Sequence, residues 1–230
     1  MAKSPSSNIT LSQFRKGCAT YWKGEPRDAM YRIATRLVQD DWANPADIAD
    51  ALGVVLLTWN QAAYRYDKFD FAALEKFLRA ERAALEVFRS RHIESFDPDT
   101  DAESIKALFN EALEALRTKR NKKRSPVAVA KTLHIIAPHF FPLWEGAIAK
   151  GRSCYWYRSA GAARKYLAFM KDAQDLATAL ETQYRQSPDK AGLPPAKNLA
   201  AALSRLCGRP KTFLKCLDEY LYAKHTGKWI

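Results

Sequence analysis

The stretch Ser125-Pro126-Val127-Ala128-Val129-Ala130-Lys131-Thr132-Leu133-His134 decides how the chain is read. It opens next to a proline, runs through small and branched apolar residues, and holds one lysine in that apolar length. Proline suits the first turn of a helix, where its missing N–H costs nothing, and Pro138 cannot continue one. Pro126 to Ala137 is therefore predicted as a short helix. Downstream, Pro142 opens a second one through Leu143, Trp144, Ala147 and Ile148, stopped near Gly151. A longer helix is expected from about Ser159 to Gln183. Ser187 to Pro195 holds three prolines and a glycine and reads as a loop. Two helices close the chain, Lys197 to Cys207 and Pro210 to Lys224.

Upstream the same periodicity recurs. A first helix covers Leu11 to Trp22. A second starts near Pro26, with Met30, Ile33, Ala34 and Leu37 at three- and four-residue steps. Asn44-Pro45 pairs an N-cap with a first-turn proline before Ile48, Leu52, Val55, Leu56 and Trp59. Asp70 caps a helix whose buried side is Leu74, Phe77, Leu78, Leu85 and Phe88. Asp97-Pro98-Asp99-Thr100-Asp101 is a turn and cap before Ile105, Leu108, Phe109, Leu113 and Leu116, with early acids suiting the positive end of the dipole. No strand signal and no repeat is visible. The expected fold class is all-α, with residues 1–230 as a single helical domain.

Composition narrows the class. A chain of 230 residues can bury a large core, and 47% hydrophobic with 12% aromatic content is too rich for disorder. A charged fraction of 27% and the lack of a long apolar run argue against an integral membrane protein. The polar N-terminus carries no secretion signal, so a cytoplasmic location and no membrane partner are expected. Cys18, Cys154, Cys207 and Cys216 are far apart and read as reduced thiols, not as a disulfide, zinc or iron–sulfur framework. His134 and His139 are five apart, off a common helix face, so no metal and no cofactor is expected.

The net charge of +12 is concentrated. Between Arg117 and Lys171 there are 13 lysines and arginines against one acid, Glu145, while the remainder is neutral. Such a stretch is expected to meet a polyanion. Lys119, Arg120, Lys122, Lys123, Arg124, Arg152 and Arg158 are the candidate phosphate contacts. Binding through them would weaken with salt by a slope of about −0.9 per contact on duplex DNA. An ordinary solvated loop is the bland alternative.

Placed after that basic segment, the stretch around Lys131 resembles the hairpin and following helix of the helix-hairpin-helix DNA base-excision glycosylases. Members with an amine nucleophile carry Leu-Pro-Gly-Val-Gly-x-Lys there, and Pro126 and Lys131 fall at the matching positions. Ala137-Pro138-His139-Phe140-Phe141-Pro142-Leu143-Trp144-Glu145 is similar to the element bearing the family's essential acid, with Glu145 where Asp is usual. The resemblance covers roughly the central third of the chain. Two departures stand out: Val127 and Val129 replace the hairpin glycines that let backbone N–H groups approach a phosphate, and the acid is one methylene longer. The resemblance implies a two-lobed helical fold with a cleft between lobes. It also implies a DNA glycosylase that flips out and excises a damaged or modified base, with or without abasic lyase activity. Its partner would be double-stranded DNA, with no obligate protein partner. A divergent helical group that this chain resembles acts in phage defence on modified cytosines such as glucosylated hydroxymethylcytosine.

The residue types suit that chemistry. An amine attacks only when neutral, and an apolar helix beside other cations lowers its pKa, which favours Lys131. Glycosidic cleavage builds positive charge on the sugar, so a carboxylate stabilises the transition state. Glu145 is expected in the first turn of the helix opened by Pro142, where the dipole favours its ionised form. If Lys131 is structural, Glu145 would instead activate water. Taken singly, such a lysine is more often solvated and such an acid a dipole partner. His134, one turn on, either joins the pocket or is hydrogen-bonded core. Trp144, Tyr155, Trp156 and Tyr157 offer stacking faces for an extruded base, with packing as the competing role. Trp59-Asn60 and Tyr64-Arg65-Tyr66 form a second aromatic set, in which Trp59 is core and Asn60 either reaches a ligand or caps the chain end. Two rival functions stand beside catalysis: a non-catalytic helical nucleic-acid-binding protein, and an interaction module whose basic face meets an acidic protein.

Overall fold

The computed structural model describes residues 9–64 and 67–230. Arg65 and Tyr66 of the second aromatic set lie outside the described residues. Regular structure among those residues is helical: α1 (Leu11–Gly24), α2 (Ala29–Asp40), α3 (Pro45–Trp59), α4 (Gln61–Tyr64), α5 (Phe71–Ala80), α6 (Arg82–Arg89), α7 (Pro98–Ala115), α8 (Pro126–Ile136), α9 (Gly146–Gly151), α10 (Ala162–Gln186), α11 (Leu199–Cys207) and α12 (Phe213–Leu221). The all-α expectation holds. No helix among these residues is long and apolar enough to cross a membrane. The four cysteines are free thiols.

Local sequence explains most helix starts. Asn44 accepts from the Ala46 amide with Pro45 in the first turn, Asp70 from Ala73, and Asp97 from Asp99 with Pro98 behind it. Each satisfies a donor that the helix itself leaves orphaned. Ser125 does the same for α8 by accepting from Ala128.

Helix α8 is the hub. All but Val127 and Lys131 of its eleven residues are buried, and it packs against α2, α3, α7 and α10. Around it, α1 pairs with α12, α2 with α3, and α7 with α10. One continuous apolar core runs from Ile9 to Leu221.

Three expectations are corrected. The face of α2 that is buried is Tyr31, Ala34 and Val38, whereas Met30, Ile33 and Leu37 are exposed. Two neighbouring faces of that helix are apolar, and packing against α3 and α8 selects the one bearing the tyrosine. Pro26 does not open α2: Asp28 takes a left-handed φ of 44° and the helix starts after it. The helix expected to run through Leu85 and Phe88 breaks at Glu81 into α5 and α6.

The helix expected from Pro142 begins only at Gly146. The Phe141 carbonyl is bonded to His134 Nδ1 at 2.7 Å and the Pro142 carbonyl accepts from the Tyr166 hydroxyl at 2.8 Å. Both acceptors are thus engaged by buried side chains, leaving no first turn for residues 142–145. That detour determines where Glu145 points.

Candidate active site

A cavity of about 500 Å³ opens between the N-terminal part of the chain, the end of α3, α8 and the C-terminus. Its aromatic and apolar wall is Tyr21, Trp59, Leu143, Trp144 and Tyr222, and Glu25, Arg27 and Met30 form an exposed rim. Into it project Lys131, Glu145, Asp28 and Asp218. The two residues singled out in sequence therefore share one cavity.

Lys131 is the one charged residue of α8 and is partly shielded from solvent. Its Nζ donates to the Trp59 carbonyl at 2.6 Å. Trp59 ends α3, so that oxygen has no partner further along its own helix. Burial pushes the amine below its ordinary pKa, while Glu145 and Asp218 pull it partly back. An amine in this position carries more of its neutral, nucleophilic form than a solvated lysine does.

Glu145 lies at the N-cap position of α9 but makes no capping bond. Its Oε1 instead accepts from the Thr226 hydroxyl, in the π-helical turn Tyr222–Thr226 that follows α12. The expectation of an ionised, dipole-stabilised carboxylate is corrected: burial raises its pKa, with Asp218 adding to the rise and Thr226 and Lys131 opposing it. Burial is the largest of these causes, and with Glu145 outside the first helical turn and making no cap bond, the dipole does not offset it.

Asp218 was not legible in the sequence. It enters the cavity from α12 backed by Lys215 Nζ at 3.2 Å, and burial raises its pKa against the pull of that lysine. Lys215 is fully buried and also reaches Asp28 at 3.4 Å and Glu219 at 3.8 Å. The rings of Tyr31, Tyr21 and Trp59 lie 4.7, 5.0 and 5.5 Å from its Nζ. Lys211 bonds Glu219 and lies 3.7 Å from Asp28. Lys215, Asp218 and Glu219 lie among leucines on α12, with Lys211 just before it, and charges on an otherwise apolar helix are the signal that could have located this cluster. The left-handed Asp28 belongs to it as well. Its carboxylate serves these two lysines and makes no capping bond to α2, so the left-handed backbone here goes with ion pairs and not with a helix cap.

The other candidate pocket residues divide. Trp144 lines the cavity. His134 does not: it is fully buried, between the Tyr31 hydroxyl at 3.0 Å and the Phe141 carbonyl at 2.7 Å. A carbonyl only accepts, so Nδ1 carries the proton and Nε2 accepts from Tyr31. Burial lowers its pKa to about 3 and keeps it neutral. Tyr155 and Trp156 stack on each other and sit behind the pocket wall, with Trp156 4.3 Å from Trp144. Tyr157 is 93% exposed. None of the three lines the cavity, which corrects their placement as base-facing residues. Asn60 donates to the Ser125 hydroxyl at 3.0 Å and so ties the end of α3 to the start of α8, which is the chain-end role and not a ligand contact.

The basic stretch is corrected in part. Arg152 is 6% exposed and makes a bidentate pair with Asp172, at 2.7 and 2.5 Å. It is therefore unable to meet a phosphate. Arg124 and Arg117 both reach Glu114, at 2.5 and 3.3 Å, Lys119 lies 3.8 Å from Asp70, and Lys171 pairs with Asp175 at 2.6 Å. Asp67 accepts the amides of Arg120 and Asn121, which hold its carboxyl below the usual range against the opposing effect of desolvation. Acids from outside residues 117–171 thus offset much of the surplus. Arg120, Lys122, Lys123 and Arg158 remain exposed.

No protein-family model matches the chain, and comparisons with curated proteins and with solved structures find no match.

Proposed function

We propose that the chain is a DNA glycosylase that takes one modified nucleotide into the 500 Å³ cavity and releases its base. The observation that carries the reading is the convergence of a pKa-lowered amine, Lys131, with the pKa-raised carboxyls Glu145 and Asp218 in one aromatic-walled cavity. Titratable groups driven in opposite directions within a cleft are the signature of paired nucleophile and acid roles. A protein that only holds nucleic acid has no use for buried carboxyls beside a desolvated amine, which favours catalysis over the binding module. The cavity would be the cleft of the two-lobed arrangement that the resemblance implies.

In this reading Lys131 Nζ attacks C1′ and the bond from C1′ to the base breaks. The base leaves with the electron pair and takes a proton from Glu145 in its neutral form. The ammonium formed at Nζ passes a proton to the Asp218 carboxylate, and the freed nitrogen lone pair then breaks the bond from C1′ to the ring oxygen. That oxygen takes the proton back from Asp218 to become a hydroxyl, and the protonated imine left at C1′ is the species from which abasic lyase chemistry proceeds. Trp59, only partly buried on the cavity wall, provides a face for the base, and the Asp218 carboxylate offers charge complementary to the sugar cation before it takes the Nζ proton. Arg120, Lys122, Lys123 and Arg158 are the candidate phosphate contacts that keep their place.

Incubation with duplexes carrying a panel of oxidised, alkylated and substituted bases, including phage DNA with substituted cytosine, tests the reading. Alkali-labile abasic sites in one substrate are expected. Glu145→Gln is expected to slow base release by about 10²- to 10⁴-fold, the usual range for losing a general acid. Base release unchanged in both Glu145→Gln and Asp218→Asn would overturn the site.

A further inference from the structure

A second concavity, of about 730 Å³, lies beside the first. Arg185 on α10, Lys197 just before α11, Arg205 on α11, and Arg209 and Lys211 in the connection to α12 line it, against the acids Glu94 and Glu181. Glu181 is already engaged: one oxygen takes the Arg185 guanidinium at 2.9 Å and the other the Leu199 amide at 2.8 Å. Lys197 is exposed, with no hydrogen-bond or ion-pair partner among the described residues. Arg205 and Arg209 each spend one N–H on a backbone carbonyl, of Pro195 and Arg27, which leaves most of their five donors free. Arg185 and Lys211 are paired with acids, whereas Lys197, Arg205 and Arg209 meet no acid among the described residues and give the groove its cationic surface.

The groove and the cavity share a wall. Arg209 bonds the Arg27 carbonyl at 2.7 Å, and Arg27 is on the cavity rim. Lys211 lines the groove while its Nζ reaches Asp28, which lines the cavity. A chain held in the groove leads directly to the mouth of the pocket.

We propose that this groove binds the sugar–phosphate backbone flanking the nucleotide that enters the cavity. The inference rests on reading the cavity as a site for a nucleotide still joined to its strand. Charge complementarity selects the occupant: three guanidinium or ammonium groups not paired with acids, Lys197, Arg205 and Arg209, line the groove and match phosphates repeating along a strand, each contact releasing condensed counterions. Lys197, Arg205 and Arg209 position the strand, while Lys211 links the groove to the buried carboxylates.

The test is the salt dependence of binding to a short fluorescent DNA duplex, measured by anisotropy. Lys197→Ala, which breaks no internal bond, is expected to reduce the slope of log K against log salt by about 0.9. The combined variant Lys197→Ala, Arg205→Gln, Arg209→Gln is expected to reduce it by about three times that amount. Lys76→Ala, exposed on α5, leaves the slope unchanged, and circular dichroism reports whether each variant is folded. If Lys197→Ala and the folded combined variant both keep the wild-type slope while base release persists, the groove proposal falls and the pocket reading stands. If polyglutamate displaces the duplex at equal charge concentration, the groove is a site for acidic polypeptide and the proposal also falls. Loss of base release in Lys131→Ala with unaltered duplex binding is a separate readout of the pocket.

Discussion

Around Lys215, four charge-bearing side chains from α12 and its approach, Lys215 included, are linked with Asp28 by N–O contacts of 3.8 Å or less and lie largely out of water. Along residues 117–124, six cations stand in solvent, with Glu114 and Asp70 brought to them from other helices. The first region is hardly visible in a charge profile because its acids and lysines cancel along the sequence. The second dominates that profile and is partly cancelled in space. Charge density along a chain reports neither burial nor the partners that folding supplies. Energetic weight follows burial: exposed ion pairs contribute little, whereas an uncompensated buried charge is costly.

Removing Lys215 breaks this comparison most sharply. Lys215→Ala leaves Asp218 without its buried cation and Asp28 and Glu219 with Lys211 alone, and is expected to lower unfolding free energy by about 3–5 kcal/mol in urea titration. Arg152→Ala, which strands Asp172, belongs in the same range, although it comes from the basic stretch. Equal stability of Arg152→Ala and wild type would show that the pair is solvated.

Acidification gives the next effect. His134 is held neutral with a pKa of about 3 against an ordinary value of 6.5. The unfolded chain gains this proton first, so stability falls as pH drops below about 6.5 and the loss levels off near 3. At pH 5 its share is about 2 kcal/mol. Glu145 and Asp218, whose folded pKa values are raised, act in the opposite sense, favouring the fold at low pH and losing that contribution as pH rises through their folded values. Replacing both carboxyls by amides, as Glu145→Gln with Asp218→Asn, should therefore steepen the acid-side loss in a thermal melt series.

Capping is smaller still. Asn44→Ala removes the bond to the Ala46 amide and is expected to cost about 1 kcal/mol. At the bottom of the scale, Arg158→Ala and Lys122→Ala should change stability by less than about 0.5 kcal/mol, while each lowers the salt slope of duplex binding by about 0.9 if it contacts a phosphate. Arg152 and Arg158, six residues apart in one basic run, would then differ by several-fold in stability.

The helices were legible wherever local chemistry decides them. Asn44, Asp70 and Asp97 cap where their side chains and the following residues indicate, and Pro126 opens α8. Where tertiary contacts decide, the pattern misleads. Met30, Ile33 and Leu37 have the same spacing as the buried Tyr31, Ala34 and Val38, and nothing local chooses between the two faces. Pro142 looks like a helix start, yet His134 and Tyr166 bind the carbonyls that a first turn would need. Lys131 and Glu145 could be paired from sequence because the resemblance to the glycosylase hairpin sets an acid in the element that follows the lysine helix. Asp218 could not, since it reaches the same cavity from a helix about eighty residues away. Arg152 was misplaced because Asp172, its partner, falls one residue beyond the basic run.

Borohydride trapping on a duplex that the protein depurinates or depyrimidinates tests the central claim most directly. Reduction should fix a covalent protein–DNA adduct in the wild type, and Lys131→Ala, folded to the same extent, should yield none. An adduct of undiminished yield in Lys131→Ala would mean that another amine reacts and would contradict the account.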